Sequence, residues 1–178
     1  SASEAQDLLL RYHGLSLSVD SSADIYRESR RLLELVNDII KLSRLDEGGD
    51  KLERQRVELH ALAENVLANL ESVAEKCHVT LSLTGGAAYV TGVPALLSEM
   101  LYNLCDNAIK YNVDGGSVRV DIAQSTAETV LTVSDTGIGI PYAHQSRVFE
   151  RFYRVDKSHS KAVGGTGLGL SIVKHAAQ

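Results

Sequence analysis

Two asparagines, a lysine and a tyrosine follow one another at helical spacing between residues 103 and 111. Asn103 and Asn107 are four residues apart, so they share one face of a helix, and Lys110 and Tyr111 continue the same turn. Carboxamide oxygens suit Mg²⁺, whereas an ammonium group and a phenol hydroxyl suit phosphate. The alternative is that these side chains are merely solvated, so the group needs support from a second motif.

A second motif is the turn Asp135-Thr136-Gly137-Ile138-Gly139, which follows an alternating apolar segment. Its carboxylate can accept a hydrogen bond from an adenine amino group, and the two glycines let a planar base approach the backbone closely. An ordinary turn that begins with aspartate is the alternative.

The third motif is a glycine-rich turn over residues 164–170 that leads directly into an apolar-periodic helix. Exposed amides at the positive end of a helix dipole form an anion site, and Thr166 adds a hydroxyl donor. Neither the Walker A spacing nor the Rossmann glycine spacing is present, so a P-loop and a dinucleotide fold are excluded. A flexible linker is the alternative, but linkers do not normally continue into such a helix.

Periodicity and turn residues divide the chain into segments. Residues 22–47 are predicted to form a long amphipathic helix that packs against other helices, and a helix that covers its own domain's core is the alternative. Its heptad seam consists of Ile25, Leu32, Leu35, Ile39 and Leu42. Glycines mark a linker over residues 48–55, and residues 56–178 are predicted to form the main domain. Residues 1–21 receive no assignment.

The main domain alternates predicted strands and helices. The strands are expected at 56–58, 78–83, 88–91, 117–123 and 129–134, and the helices at 59–76, 94–109 and from 168. Pro94 suits a first helical turn, and the last two strands are expected to pair with each other. This order predicts an α+β fold, with a mixed sheet that carries helices on one face.

The three motifs and the stretch Phe149–Arg154, in this order, resemble the catalytic domain of sensor histidine kinases. Residues 28–45 also resemble the second helix of that family's dimerisation domain, so the resemblance covers about residues 24–178. It implies a two-layer α/β sandwich of the Bergerat ATP-binding type, preceded by a long amphipathic helix. It also implies ATP and Mg²⁺ as ligands.

The resemblance implies roles for individual residues. Asn107 would hold Mg²⁺, Asp135 would read the adenine, and residues 141–166 would form a mobile lid over the nucleotide. The implied catalytic residues are Asn103, Lys110 and Arg154. The implied ATP-binding residues are Asn103, Asn107, Lys110, Tyr111, Asp135, Gly137, Gly139, Arg151, Arg154, Gly165, Thr166, Gly167, Leu168 and Gly169.

The chain departs from its family at both ends. We find no phosphoacceptor histidine, because His13 lacks the acidic residue and proline that would follow it. The implied γ-phosphoryl transfer therefore needs a histidine outside this chain, and autophosphorylation by the chain alone is not expected. The family's final strands are also not found, and one hypothesis is that Leu15–Val19 completes the sheet, in its own or in a neighbouring chain.

Composition limits the partners. The net charge of −5 offers no basic stripe, so nucleic acid is not an expected partner. No apolar run is long enough for a membrane helix, so we expect a cytoplasmic domain without membrane contact, although a longer parent could carry an anchor. Cys77 and Cys105 are predicted to be reduced and buried. The family implies a homodimer and the receiver domain of a response regulator as partners.

Two other functions stay open at this point. One is a nucleotide-binding or regulatory module of the same fold that transfers nothing, and the other is a dimerisation protein that uses the helix at 22–47. A hydrolysing ATPase of the same fold would need a carboxylate to activate water. By resemblance, those relatives carry an acid where this chain has Asn103, so slow hydrolysis is expected.

Overall fold

A computed structural model describes residues 25–26, 28–29, 32–33, 35–38, 40, 53–155 and 166–177. The chain divides into two compact units, Ser1–Asn37 and Asp38–Gln178. All described residues between 25 and 40 are helical, as the heptad pattern predicts. Residues 1–21, including the proposed strand Leu15–Val19, and residues 48–52 of the predicted linker lie outside the described residues. The domain boundaries therefore stay predictions.

The main domain contains five strands and four helices among its described residues. In chain order these are β1 (Gln55–Glu58), α1 (Leu59–Lys76), β2 (Thr80–Gly85), β3 (Tyr89–Gly92), α2 (Pro94–Lys110), β4 (Ser117–Gln124), β5 (Thr129–Asp135), the short α3 (Tyr142–Gln145) and α4 (Gly169–Ala176). Each element that the sequence predicted between residues 56 and 134 is present, within two residues at either end.

The strands form two sheets in the described part of the chain. One has three strands in the order β2-β4-β5, where β2 runs parallel to β4 and β4 runs antiparallel to β5. The pairing of β4 with β5 is the one that the sequence predicted. The other is the antiparallel pair β1–β3, with Val57 opposite Val90. The larger sheet is therefore mixed, as predicted.

Helices α1 and α2 cover one face of the larger sheet. The buried side chains of β4 alternate along the strand at Val118, Val120 and Ile122, whereas Arg119 and Ala123 on the opposite face are exposed. The apolar residues of β4 join buried side chains of both helices in one core, including Leu70 and Leu101. This two-layer α+β arrangement confirms the predicted fold class.

Local interactions fix the ends of α1. Glu58 caps its first turn, because its two carboxylate oxygens accept hydrogen bonds from the N–H groups of His60 at 2.9 Å and Ala61 at 2.7 Å. At the other end His78 takes a positive φ of 53° and its N–H donates to Glu75 O at 3.1 Å. The predicted strand start at residue 78 is therefore wrong, since this turn delays β2 until Thr80.

The prediction for the two cysteines is half wrong. Cys105 lies in the core, where burial raises the pKa of its thiol to about 12. Cys77 follows the last residue of α1 and is exposed, because the chain turns there at the surface of the domain. Both thiols are free.

Candidate functional site

The asparagine face of α2 meets the beginning of α4. Asn103 Nδ2 donates to Glu99 O at 2.9 Å and to Glu99 Oε1 at 3.2 Å, which orients the carboxamide. A methyl group on Gly169 would lie 2.8 Å from Asn103 Oδ1 and 3.8 Å from Asn107 Nδ2. Glycine at residue 169 therefore leaves room for the Asn103 carboxamide in its present orientation. The structure thus brings three predicted site residues together.

The first amides of α4 face this junction without a side-chain cap. The residue before the helix is Leu168, whose buried side chain anchors the turn in the core and offers no acceptor to the helix. Uncapped N–H groups at a helix N-terminus favour an anion through hydrogen bonding and the helix dipole. An anion held there would lie beside the carboxamides of Asn103 and Asn107.

The turn that precedes α4 is held by backbone and hydroxyl contacts. Gly167 has a φ of +76° and its carbonyl accepts a hydrogen bond from the N–H of Phe152 at 2.9 Å. The Thr166 hydroxyl accepts from Leu168 N at 3.2 Å and donates to Asp38 Oδ2 at 2.6 Å. The predicted contact of Thr166 with phosphate therefore requires its hydroxyl to leave that carboxylate. Gly165 lies outside the described residues.

The Asp135 turn is fastened to the end of α2. Asp135 Oδ1 accepts from the N–H of Gly137 at 2.8 Å, and the N–H of Ile138 donates to Tyr111 O at 3.1 Å. A methyl group on Gly137 would lie 2.4 Å from that same Tyr111 oxygen. Asp135 remains exposed and Gly139 has a φ of +68° with open space around it. The motif thus exposes the Asp135 carboxylate and, at Gly139, a backbone that no side chain covers.

Lys110 is paired with an acid in this structure. Its ammonium group lies 2.7 Å from Asp106 Oδ2, and both side chains are partly buried. Asp106 is four residues before Lys110, which is the spacing of an ion pair on one helix face. This spacing is the signal in the sequence from which the ion pair could have been predicted. Lys110 can reach a phosphate only by sharing or leaving that carboxylate.

The two arginines that the resemblance assigns to ATP binding occupy different places. Arg154 lies against the glycine turn, because its Cγ would be 3.3 Å from a methyl group on Gly167. Arg151 instead lines a cavity of about 440 Å³ on another side of α4. The other residues that line this cavity are Phe149, Glu150, Ser171, Lys174 and His175. Ser171 is about 200° around the helix axis from Gly169, so the structure does not bring Arg151 to the asparagine face.

Comparisons with known proteins agree with this arrangement. Residues 92–178 match the family of histidine kinase-, DNA gyrase B-, and HSP90-like ATPases. The sensor-like histidine kinase SenX3 of Mycolicibacterium smegmatis is 38% identical over 152 residues, which cover 84% of this chain and 39% of SenX3. The chain holds an ATP-binding catalytic domain of the sensor histidine kinase type.

Further relatives of this kinase domain agree with the assignment. The sensor histidine kinase RppB of Synechocystis is 36% identical over 152 residues, which cover 84% of this chain and 34% of RppB. The solved structure of full-length ShkA in complex with AMPPNP is 25% identical, with a TM-score of 0.72, and covers 92% of this chain and 35% of ShkA. The chain thus spans roughly a third to two fifths of the length of these relatives.

The donor groups of the kinase domain fit a magnesium ion held mainly by a nucleotide. In the described part of the chain, no group of three or more His, Cys, Asp or Glu side chains could hold a metal. The Asn107 carboxamide lies at the α2–α4 junction and could supply one hard oxygen ligand, and Glu99 lies two turns before it. Mg²⁺ typically accepts one or two protein ligands when phosphates and waters complete its shell.

The described start of the predicted lid is ordered by aromatic and charged contacts. His144 Nδ1 and the Tyr153 hydroxyl are 2.6 Å apart, and the Arg147 guanidinium stacks 4.3 Å from the centre of the same ring. Arg147 also pairs with Glu150 at 3.2 Å. Sequence analysis did not single out His144 or Arg147, and only their position in a loop rich in charge and aromatics pointed to them. Residues 156–165 lie outside the described residues.

Proposed function

We propose that this catalytic domain binds Mg-ATP at the α2–α4 junction and transfers its γ-phosphoryl group to a histidine of a dimerisation domain. The observation that carries the proposal is the contact of Gly169 with the carboxamides of Asn103 and Asn107. It sets the two carboxamides beside the uncapped amides at the start of α4. Metal ligands and anion donors on one surface are the two features that a magnesium-bound triphosphate requires.

Individual residues receive roles from their positions. Asn107 would hold Mg²⁺, which when bound would neutralise negative charge on the phosphates. Asn103 and, after release from Asp106, Lys110 would contact the phosphates. Asp135 would accept a hydrogen bond from the adenine amino group, because its carboxylate is exposed beside the bare backbone at Gly139.

Arg154 is the better candidate for charge near the γ-phosphate, because it lies against the glycine turn, whereas Arg151 lines the cavity on another side of α4. A guanidinium can hold two phosphate oxygens at once. The main work of the chain is then positioning and charge neutralisation, which are the principal sources of rate in phosphoryl transfer.

In the proposed reaction, a neutral imidazole nitrogen attacks the γ-phosphorus in line with the leaving oxygen. A nitrogen–phosphorus bond forms, the bond to the β-phosphate oxygen breaks, ADP leaves and the imidazole releases a proton to solvent. The phosphoryl group would then pass to the receiver domain of a response regulator. The helix within residues 22–47 would belong to a homodimer in the cytoplasm. No helix in the described part of the chain is long and apolar enough to cross a membrane.

A transfer assay tests this proposal. The chain is mixed with γ-labelled Mg-ATP and a separately purified dimerisation domain of a relative such as SenX3, and phosphohistidine is recognised by its acid-labile, base-stable label. We expect labelling of the acceptor by the parent chain and at least about tenfold less by Asn107→Ala. Binding of ATP with no transfer to any acceptor would instead support a silent nucleotide-binding module.

A further inference from the structure

Phe152 has a backbone conformation that its side chain does not favour. Its φ is +64°, and His78 is the only other non-glycine residue with positive φ among the described residues. Crowding between the side chain and the backbone makes this region costly for large residues. His78 closes the end of α1, which is an ordinary place for such a residue. Phe152 does not follow a helix of the fold, so its conformation has another cause.

The ring of Phe152 does not explain this conformation, because the residue is 58% exposed. The residue is the third of the turn from Glu150 to Tyr153, which is closed by the Tyr153 N–H to Glu150 O bond of 3.3 Å. A positive φ at the third position of a turn favours glycine or asparagine. The chain therefore has an aromatic residue at a position where the backbone conformation favours glycine or asparagine.

The backbone of Phe152 contacts the glycine turn that precedes α4. Its N–H donates to Gly167 O at 2.9 Å, and a methyl group on Gly167 would lie 3.0 Å from Phe152 C and 3.1 Å from its Cα. Gly167 itself has a φ of +76°. Two residues with left-handed backbone thus lie against each other, and Gly167 is two residues before the Gly169 contact with Asn103.

We propose that Phe152 is a positioning residue whose left-handed backbone, and not its ring, holds the glycine turn where the start of α4 can receive phosphate. If residue 152 leaves the left-handed region, its N–H turns away from Gly167 and the turn loses this anchor. The fraction of molecules with a competent site then falls, and the apparent affinity falls by the same factor. This inference rests on the proposed function.

The test is a substitution series at residue 152 that separates backbone preference from apolar character. Phe152→Asn and Phe152→Leu introduce side chains with the same branching and the same number of heavy atoms but opposite preferences for the left-handed region. Phe152→Gly favours that region and Phe152→Val strongly disfavours it. Calorimetry gives the Kd for AMPPNP with Mg²⁺, and stopped-flow fluorescence gives the association and dissociation rates. Thermal unfolding of each variant reports the stability of the domain.

We expect Phe152→Asn and Phe152→Gly to bind within about threefold of the parent, and Phe152→Val to bind about tenfold more weakly. The loss in Phe152→Val should lie in the association rate, because fewer free molecules are competent. The matched control is Phe149, which is 41% exposed and has no positive φ. Phe149→Asn and Phe149→Val should bind equally well within about twofold.

The opposite order would overturn the inference. If Phe152→Leu binds well and both Phe152→Asn and Phe152→Gly bind poorly, the ring or its apolar surface is what matters. Equal binding by the whole series would show that residue 152 does not hold the turn. If Phe152→Val unfolds, the Kd values of Phe152→Asn and Phe152→Leu decide whether the backbone or the apolar side chain of residue 152 matters. Failure of the proposed function would be distinct, since the parent chain would then not bind AMPPNP or Asn107→Ala would bind it equally well.

Discussion

Replacing Gly169 by alanine should weaken nucleotide binding through one side chain, that of Asn103. The new methyl group would lie 2.8 Å from Asn103 Oδ1, whereas ordinary contact begins at 3.4 Å, so the carboxamide must move by about 0.6 Å. That movement weakens its bonds of 2.9 and 3.2 Å to Glu99. Regaining the orientation that contacts phosphate then costs the nucleotide complex about 1 to 2 kcal/mol, the value of one or both bonds, which corresponds to a roughly five- to thirtyfold weaker Kd.

Calorimetric titration with Mg-AMPPNP measures this effect, and two variants isolate its cause. In an Asn103→Ala background the methyl group has nothing to displace, so Gly169→Ala should add less than about a twofold loss. Gly86→Ala is the control for a glycine with no atom within 4 Å of the added methyl group, and it should bind like the parent. Parent-like binding by Gly169→Ala, or an equal loss in the Asn103→Ala background, would refute the reasoning.

Three further predictions concern the start of α1, the two thiols and the Asp135 turn. Hydrogen bonds from Ala61 and His60 lower the pKa of Glu58 below 4.5, so Glu58→Gln should be less stable than the parent at neutral pH. Thermal unfolding should show that this difference in stability vanishes as the pH falls through the lowered pKa. Mass spectrometry after alkylation at pH 8 should find Cys77 modified in the folded protein and Cys105 modified only after unfolding. Gly137→Ala places a methyl group 2.4 Å from a backbone oxygen, so it should lower both the melting temperature and the affinity for AMPPNP.

The helices could be predicted from sequence because their signals are local. The apolar periodicity of α1 and α2 and the position of Pro94 gave their limits within a residue, and the alternation in β4 and β5 indicated two neighbouring strands that pair. By contrast, the parallel pairing of β2 with β4 and the separate β1–β3 ladder join strands that are far apart in the chain. No local pattern specifies such a pairing.

The site shows the same division between local and long-range information. The spacing of Asn103 and Asn107 predicted a shared helix face, and the structure confirms that face and brings Gly169 to it. The resemblance gave a catalytic role to Arg154 and only an ATP-binding role to Arg151. No local pattern placed either side chain relative to α4, because those places depend on how the segment 149–155 folds back on that helix. The left-handed backbone of Phe152 was equally hidden, since aromatic residues rarely take it.

The most direct test of the central claim is magnesium-dependent nucleotide binding by two variants at opposite ends of the site. Calorimetric titration with AMPPNP, with and without Mg²⁺, is made on the parent chain, on Asn107→Ala and on Asp135→Ala. We predict binding by the parent that Mg²⁺ strengthens, with a loss of at least about tenfold in both variants. Binding by both variants that matches the parent would contradict a nucleotide site at the α2–α4 junction.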